Sequence, residues 1–111
     1  MIFDRLRAKT QARRAQVKTT EYAAAALDDF VTSRPGVQAW AEAATGFNKT
    51  SLLLVAASGE WLRYPVPDID WAHDFTRRAG LVCFTAGIDP YPQRMRDWDT
   101  AHRKPSPSQE A

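Results

Sequence analysis

Four residues that could hold a metal ion stand close together near the middle of the chain: Asp68, Asp70, His73 and Asp74. On a helix, Asp70 would share one face with His73 and Asp74, three and four residues further on. However, aspartates in the first helical turn are also expected without a metal, because the helix dipole favours negative charge there. The sequence offers no second cluster that would complete a tetrahedral site. We therefore interpret the group as a helix cap and predict neither a metal nor a cofactor.

The single cysteine, Cys83, lies in an apolar run between Val82 and Phe84. A nucleophilic thiolate needs an electropositive and partly exposed setting, so we expect a thiol buried in the core. The five glycines form none of the phosphate-binding patterns of nucleotide-binding loops. A small redox or hydrolytic enzyme is therefore the least favoured function, and we predict no catalytic residue.

Residues 91–98 are the best candidate for a functional surface, because tyrosine, tryptophan, arginine and methionine are concentrated there. These residue types are enriched in the hot spots of protein–protein interfaces. On a helix the large side chains would share one face, which either packs on the protein's own sheet or binds a partner. We predict a non-enzymatic protein-interaction module, binding an unknown protein or a second copy of itself. The predicted interaction residues are Tyr91, Arg94, Met95, Trp98 and Trp61.

The amino-terminal segment carries much of the positive charge. Residues 1–20 contain six basic side chains and one acidic one, whereas residues 21–88 contain five basic and eight acidic ones. A basic arm can bind the phosphates of nucleic acid with strong salt dependence, or it can be an ordinary solvated helix face. Nucleic-acid association is therefore the alternative function. The residues that would provide it are Arg5, Arg7, Arg13, Arg14 and Lys18.

The secondary structure predicted from the sequence indicates an α+β fold, a small sheet covered by helices. The apolar residues 52–57 and the run 60–66 flank Ser58-Gly59, which is typical of a hairpin with a tight two-residue turn. Asp68 can cap a helix over residues 68–79 that Gly80 ends. Residues 81–86 then form a strand, so that the hairpin is followed by a crossover helix and one further strand. Because residues 52–57 are apolar on both sides, we place them centrally, between residues 60–66 and 81–86.

The remaining elements lie at either end of the chain. An apolar stripe at helical spacing predicts an amino-terminal helix, and residues 37–43 are either a fourth strand, which we favour, or a short helix. A last short helix is expected over residues 93–103. The stripe consists of Tyr22, Ala23, Ala26, Leu27, Phe30 and Val31.

Length and composition predict one domain. The 111 residues suffice for one modest core, so we divide the chain into a basic helical arm (1–18), an α+β domain (19–103) and a disordered tail (104–111). No apolar run approaches the length of a membrane span, and the amino terminus lacks a signal-peptide pattern. A cytoplasmic location without membrane contact is the expectation.

Three stretches carry a resemblance to a known group of proteins. They are Thr32 to Val37, Leu54-Val55-Ala56 with Gly59-Glu60-Trp61, and the run Tyr91-Pro92-Gln93-Arg94-Met95-Arg96-Asp97, of which the last is the most specific. In these the chain resembles a small uncharacterised protein family of high-GC Gram-positive bacteria. The resemblance implies a bacterial cytoplasmic protein and no catalytic residue.

Overall fold

The computed structural model describes residues 20–103, and the predicted basic arm (1–18) and tail (104–111) lie outside them. The described part is an α+β fold with an amino-terminal helix, as predicted, and residues 37–43 contain a strand. Its elements are α1 (residues 20–33), β1 (Gln38–Glu42), β2 (Ser51–Val55), β3 (Trp61–Pro65), α2 (Ile69–Arg78), β4 (Cys83–Thr85) and α3 (Gln93–His102).

The four strands form one mixed sheet in the order β3-β2-β1-β4. Strand β2 is antiparallel to both neighbours, with Leu54 opposite Ala39 on β1 and Leu62 on β3. The expectation that residues 81–86 would flank β2 is therefore wrong. Strand β1 pairs with β2 along its whole length, so both edges of β2 are occupied. Strand β4 instead lies parallel to the outer edge of β1, after helix α2 has crossed the sheet.

The β2–β3 hairpin is confirmed, although its turn is one residue longer than predicted. The Ala56 N–H donates to the Glu60 carbonyl at 2.8 Å, which closes a three-residue loop ending at Gly59. Gly59 has a φ of 95°, as expected for the left-handed position that ends a loop of this length.

Helix α2 begins and ends as predicted. The Asp68 side chain accepts a hydrogen bond from the backbone N–H of Trp71 at 2.7 Å, which satisfies one free donor of the first turn. Gly80 leaves the helix with a φ of 72°, a conformation that glycine adopts without strain.

The first core layer lies between one face of the sheet and helices α1 and α2. In α1 the buried residues are Ala23, Leu27 and Phe30, which recur at helical spacing. Tyr22, which the sequence placed on the same stripe, is 66% exposed. Only one face of the helix reaches the sheet, and it passes through Ala23 and excludes Tyr22.

The second layer covers the opposite face of the sheet. Trp40, Leu53 and Val55 alternate with the residues of the first core along their strands, and Met95 of α3 packs on them. The described part thus has three layers, with the sheet between α1 and α2 on one face and α3 on the other. Within residues 20–103, no helix has the length and apolar character needed to cross a membrane.

Candidate binding groove

Helix α3 lies on the second face of the sheet, and two of the predicted interaction residues hold it there. Met95 is buried in the second core layer. The Arg94 Nε donates to the Ala56 carbonyl at 2.9 Å, and its Nη2 donates to Gln38 Oε1 at 2.6 Å. Hydrogen bonds from a guanidinium are among the stronger polar contacts in proteins. Arg94 therefore connects α3 to β1 and to the end of β2.

The other three predicted interaction residues are half-buried. Trp61 Nε1 donates to the Asp99 carboxylate of α3 at 2.7 Å. Trp98 stacks on His102 with 3.6 Å between the ring centroids, near the carboxyl end of α3. Tyr91 stands just before α3 and donates its hydroxyl to Glu42. The structure thus brings these side chains to the contact between α3 and the sheet, and their role in binding a partner stays a prediction.

A groove of about 870 Å³ opens beside Tyr91, at the end of the sheet where strands β1, β3 and β4 finish. Because these three strands point the same way, their carboxyl ends meet at one edge. The β1–β2 loop forms one wall, and the turn after β4 forms the other. The lining residues are Glu42, Ala43, Ala44, Thr45, Phe47, Asn48, Lys49, Ser51, Arg63, Pro65, Ala86, Gly87 and Tyr91.

Two large apolar side chains stand exposed at the groove. Phe47, in the β1–β2 loop, is 100% exposed, and Ile88, which follows the lining residue Gly87, is 80% exposed. Single exposed apolar residues are common on protein surfaces. Two of them at one groove, one in its lining and one next to the lining in the chain, are more typical of a site that another molecule covers.

The polar floor of the groove is a hydrogen-bonded cluster centred on Glu42. Its Oε1 accepts from Ser51 Oγ and from Arg63 Nε, both at 2.7 Å. Its Oε2 accepts from Arg63 Nη2 at 3.0 Å and from the Tyr91 hydroxyl. Four donors thus fill the acceptor sites of one carboxylate. The cluster joins β1, β2, β3 and the segment that leads into α3.

These contacts determine the ionisation of the cluster. Burial is the largest single influence on Glu42 and raises its pKa, but hydrogen bonds from Arg63, Tyr91 and Ser51 together lower it below the ordinary value of 4.5. The hydrogen bond to Glu42 raises the pKa of Arg63. Burial, followed by the contact with Glu42, raises the pKa of Tyr91 above 10.0. At neutral pH the floor therefore contains a charged Glu42–Arg63 pair and a protonated phenol.

The arrangement suits binding better than proton transfer. A general base needs a free lone pair within reach of the substrate proton, whereas the Glu42 carboxylate is fully engaged. Two contacts keep Arg63 in place. Glu42 accepts hydrogen bonds from two of the guanidinium nitrogens, and the Trp61 ring centroid lies 5.3 Å from Arg63 Cζ. Arg63 remains accessible, with 40% of its side chain exposed.

The residues first considered for metal binding lie elsewhere, on helix α2. Asp68 caps the helix, and Asp74 pairs with Arg77 at 2.5 Å and Arg78 at 3.0 Å. Among residues 20–103, no three His, Cys, Asp or Glu side chains are grouped as a metal ion would require. Cys83 packs against the first core layer but is only half-buried. The reason is that β4 is an edge strand, with a neighbouring strand on one side only.

Sequence reasoning missed the lining residues of the groove other than Tyr91, among them Glu42, Arg63 and Phe47. Glu42 and Arg63 are 21 positions apart in the chain. They meet only because β1 and β3 lie on either side of β2 and these two side chains lie on the same face of the sheet. Phe47 could have been noticed, since a large aromatic residue in a loop of small and polar residues has no strand or helix of its own to pack on. Alternation along β1 and β3 was the other available signal.

Comparisons of the chain with protein-family models, with curated proteins and with solved structures gave no match. The resemblance to proteins of high-GC Gram-positive bacteria therefore stays a prediction. The groove must be interpreted from its own geometry, as an accessible, partly apolar site with a preorganised Glu42–Arg63–Tyr91 floor.

Proposed function

We propose that this chain is a non-enzymatic protein-interaction module of the bacterial cytoplasm and that its partner docks in the groove. The observation that carries the proposal is the exposure of Phe47, which lines the groove, and of Ile88, which follows the lining residue Gly87. Apolar side chains with this exposure gain most when a partner covers them. The engaged state of Glu42 supports binding over catalysis.

The proposal keeps the expected function and moves the centre of the docking surface. Arg94 and Met95 are used within the protein to hold α3, so their substitution would affect folding as well as binding. Tyr91 belongs to both regions, since it precedes α3 and lines the groove. A partner that covers Phe47 and Ile88 would reach Tyr91 next.

Substitution of Phe47 by serine tests the proposal. The change removes an exposed ring, so stability should stay within about 0.5 kcal/mol of wild type. If Phe47 is a binding hot spot, affinity for the partner should fall by about 2 kcal/mol, or about 30-fold. Tyr22→Ser is the matched control, because Tyr22 is also exposed and lies on α1, outside the groove lining.

The assay is capture from the native cytoplasm on the immobilised full-length chain after nuclease treatment. The expected result is a protein retained by wild type and by Tyr22→Ser but not by Phe47→Ser. If the partner is a second copy of the chain, sedimentation velocity should show a dimer that Phe47→Ser alone dissociates. Equal capture or equal self-association by all three chains would contradict docking in the groove.

Nucleic-acid association through the basic arm is the second proposal. Its support is the excess of basic residues among residues 1–20. Full-length protein should then bind DNA or RNA at low salt, with an affinity that falls steeply as salt rises. Charge-neutral substitutions at Arg13 and Arg14 should weaken that binding, while Phe47→Ser should not. The absence of any binding at low salt would eliminate this function.

A further inference from the structure

We infer that the groove recognises an extended acidic peptide segment, in which an Asp or Glu carboxylate lies next to an apolar side chain. The inference rests on the proposed function and adds the chemistry of the partner. It depends on two features of the lining, a pair of cationic side chains and an apolar rim.

The first cation is Arg63, which is held in a fixed orientation. Two of its five N–H groups donate to Glu42, and its guanidinium lies near the Trp61 ring. Both of these hydrogen bonds use Nε and Nη2, and the Tyr91 hydroxyl lies close enough to the guanidinium to raise the pKa of Arg63 further. An arginine fixed by a carboxylate and an aromatic ring loses little conformational freedom on binding a second carboxylate. Arg63 is thus prepared to accept an anion from the groove side.

The second cation is Lys49, at the end of the β1–β2 loop. Lys49 is exposed and forms no ion pair with any residue in the described range 20–103. The charge of Glu42 is already balanced by Arg63, so the lining keeps one positive charge in excess. Asp89, in the turn after β4, is not part of the lining and accepts the Thr85 N–H at 2.9 Å. A carboxylate of the partner would supply the missing negative charge.

The apolar rim distinguishes a peptide from a simple anion. A free phosphate or a small acid would use the two cations and leave Phe47 and Ile88 exposed. A peptide can place a carboxylate over Arg63 and Lys49 while its neighbouring apolar side chain contacts Phe47. The groove volume of about 870 Å³ is ample for a few residues.

Nuclear magnetic resonance titration of the full-length chain with two short peptides tests this inference. The probes are acetyl-Leu-Glu-Leu-amide and acetyl-Leu-Gln-Leu-amide, which differ in one charge and have nearly equal size. We expect both to shift the backbone amide signals of residues 43–50 and 86–88. The Glu peptide should bind about fivefold more tightly, which is the usual upper value for a solvent-exposed ion pair. This preference should decrease as salt is added.

Two charge-removing variants locate the effect. Lys49→Gln should remove most of the preference for the Glu peptide, while Arg96→Gln is the control and should keep it. Arg96 is exposed on α3 and does not line the groove. Lys49 makes no stabilising contact with a described residue, so both variants should fold as wild type does. Phe47→Ser should weaken both peptides equally, because both use the same apolar contact.

The outcomes separate this inference from the proposed function. Equal affinity for the two peptides would overturn the acidic preference while groove docking stands. Equal losses in Lys49→Gln and Arg96→Gln would also overturn it, since a general charge effect would then explain the preference. Inorganic phosphate that shifts the same amides as strongly as the Glu peptide would show a simple anion site and refute the peptide assignment. Docking in the groove is judged separately, by Phe47→Ser in the capture assay.

Discussion

Replacing Gly59 by alanine should destabilise the protein by displacing helix α3. Gly59 lies under the first turn of this helix, in the loop between β2 and β3. A Cβ added to Gly59 would lie 2.0 Å from the Arg94 carbonyl oxygen and 2.7 Å from the carbonyl carbon. Both are backbone atoms, so the clash cannot be relieved by rotation of a side chain.

The expected loss has two components. Alanine at the positive φ of Gly59 costs about 1–2 kcal/mol. Restoring ordinary contact distance requires the α3 backbone to move by about 1 Å, and forced displacement in a packed region costs about 1–3 kcal/mol more. The movement also strains the hydrogen bond from Arg94 to Ala56 and the burial of Met95. We therefore expect Gly59→Ala to lose about 2–5 kcal/mol in total.

Gly80→Ala is the matched control for the backbone component. Gly80 also has a positive φ, of 72°, but an added Cβ there would meet no atom within 4 Å. Gly80→Ala should lower the free energy of unfolding by about 1 kcal/mol. Urea unfolding of the two variants and of wild type measures both losses on one scale.

A second measurement identifies α3 as the displaced element. The hydrogen bond from Trp61 to Asp99 should weaken when α3 moves, so Trp61→Phe should cost less in the Gly59→Ala background than in wild type. If Gly59→Ala and Gly80→Ala lose the same stability within about 0.5 kcal/mol, the close approach of α3 to Gly59 is refuted.

Three further predictions concern the groove floor and the core. Glu42→Gln should lower the free energy of unfolding at pH 7 by about 1–2 kcal/mol. Below pH 4.5, the stability of this variant should fall less steeply with decreasing pH than that of wild type. The reason is that the pKa of Glu42 is lowered on folding, so its contribution is present above the unfolded pKa and disappears as pH falls through the folded pKa. Urea unfolding midpoints measured from about pH 2 to pH 7 check this. The same decrease of the midpoint at acidic pH in both proteins would count against it. Because the pKa of Tyr91 is raised on folding, its contribution to stability is present below pH 10.0 and is lost as pH rises through the folded pKa. In a titration that follows phenolate absorbance, Tyr91→Phe should remove the phase at the highest pH. Survival of that phase would reject the assignment. Leu54→Ala, at a fully buried position in β2, should cost about 2–5 kcal/mol in urea unfolding, and an unchanged midpoint would contradict its place in the core.

Much of the fold follows from local patterns in the sequence. The Asp68 cap, the apolar face of α2 and the exit at Gly80 each depend on residues within one or two helical turns, so they can be predicted without knowledge of the rest of the chain. The same applies to the hairpin around Gly59, where the loop conformation requires glycine. The covered face of α1 was less accurately predicted, because periodicity alone does not show where a helix face ends, and Tyr22 lies just beyond it.

Tertiary structure alone decided the strand order and the groove. Nothing local indicates that β1 occupies the free edge of β2, since strand pairing depends on backbone groups that all residues except proline share. Residues 91–98 were correctly recognised as rich in interface types, but only the fold shows that Arg94 and Met95 contact the protein's own sheet. Glu42 and Arg63 acquire their chemistry from proximity, and the sheet creates that proximity by placing β1 and β3 on either side of β2. Local sequence therefore specifies most of the elements and both ends of α2, whereas the packing of distant segments creates the candidate site.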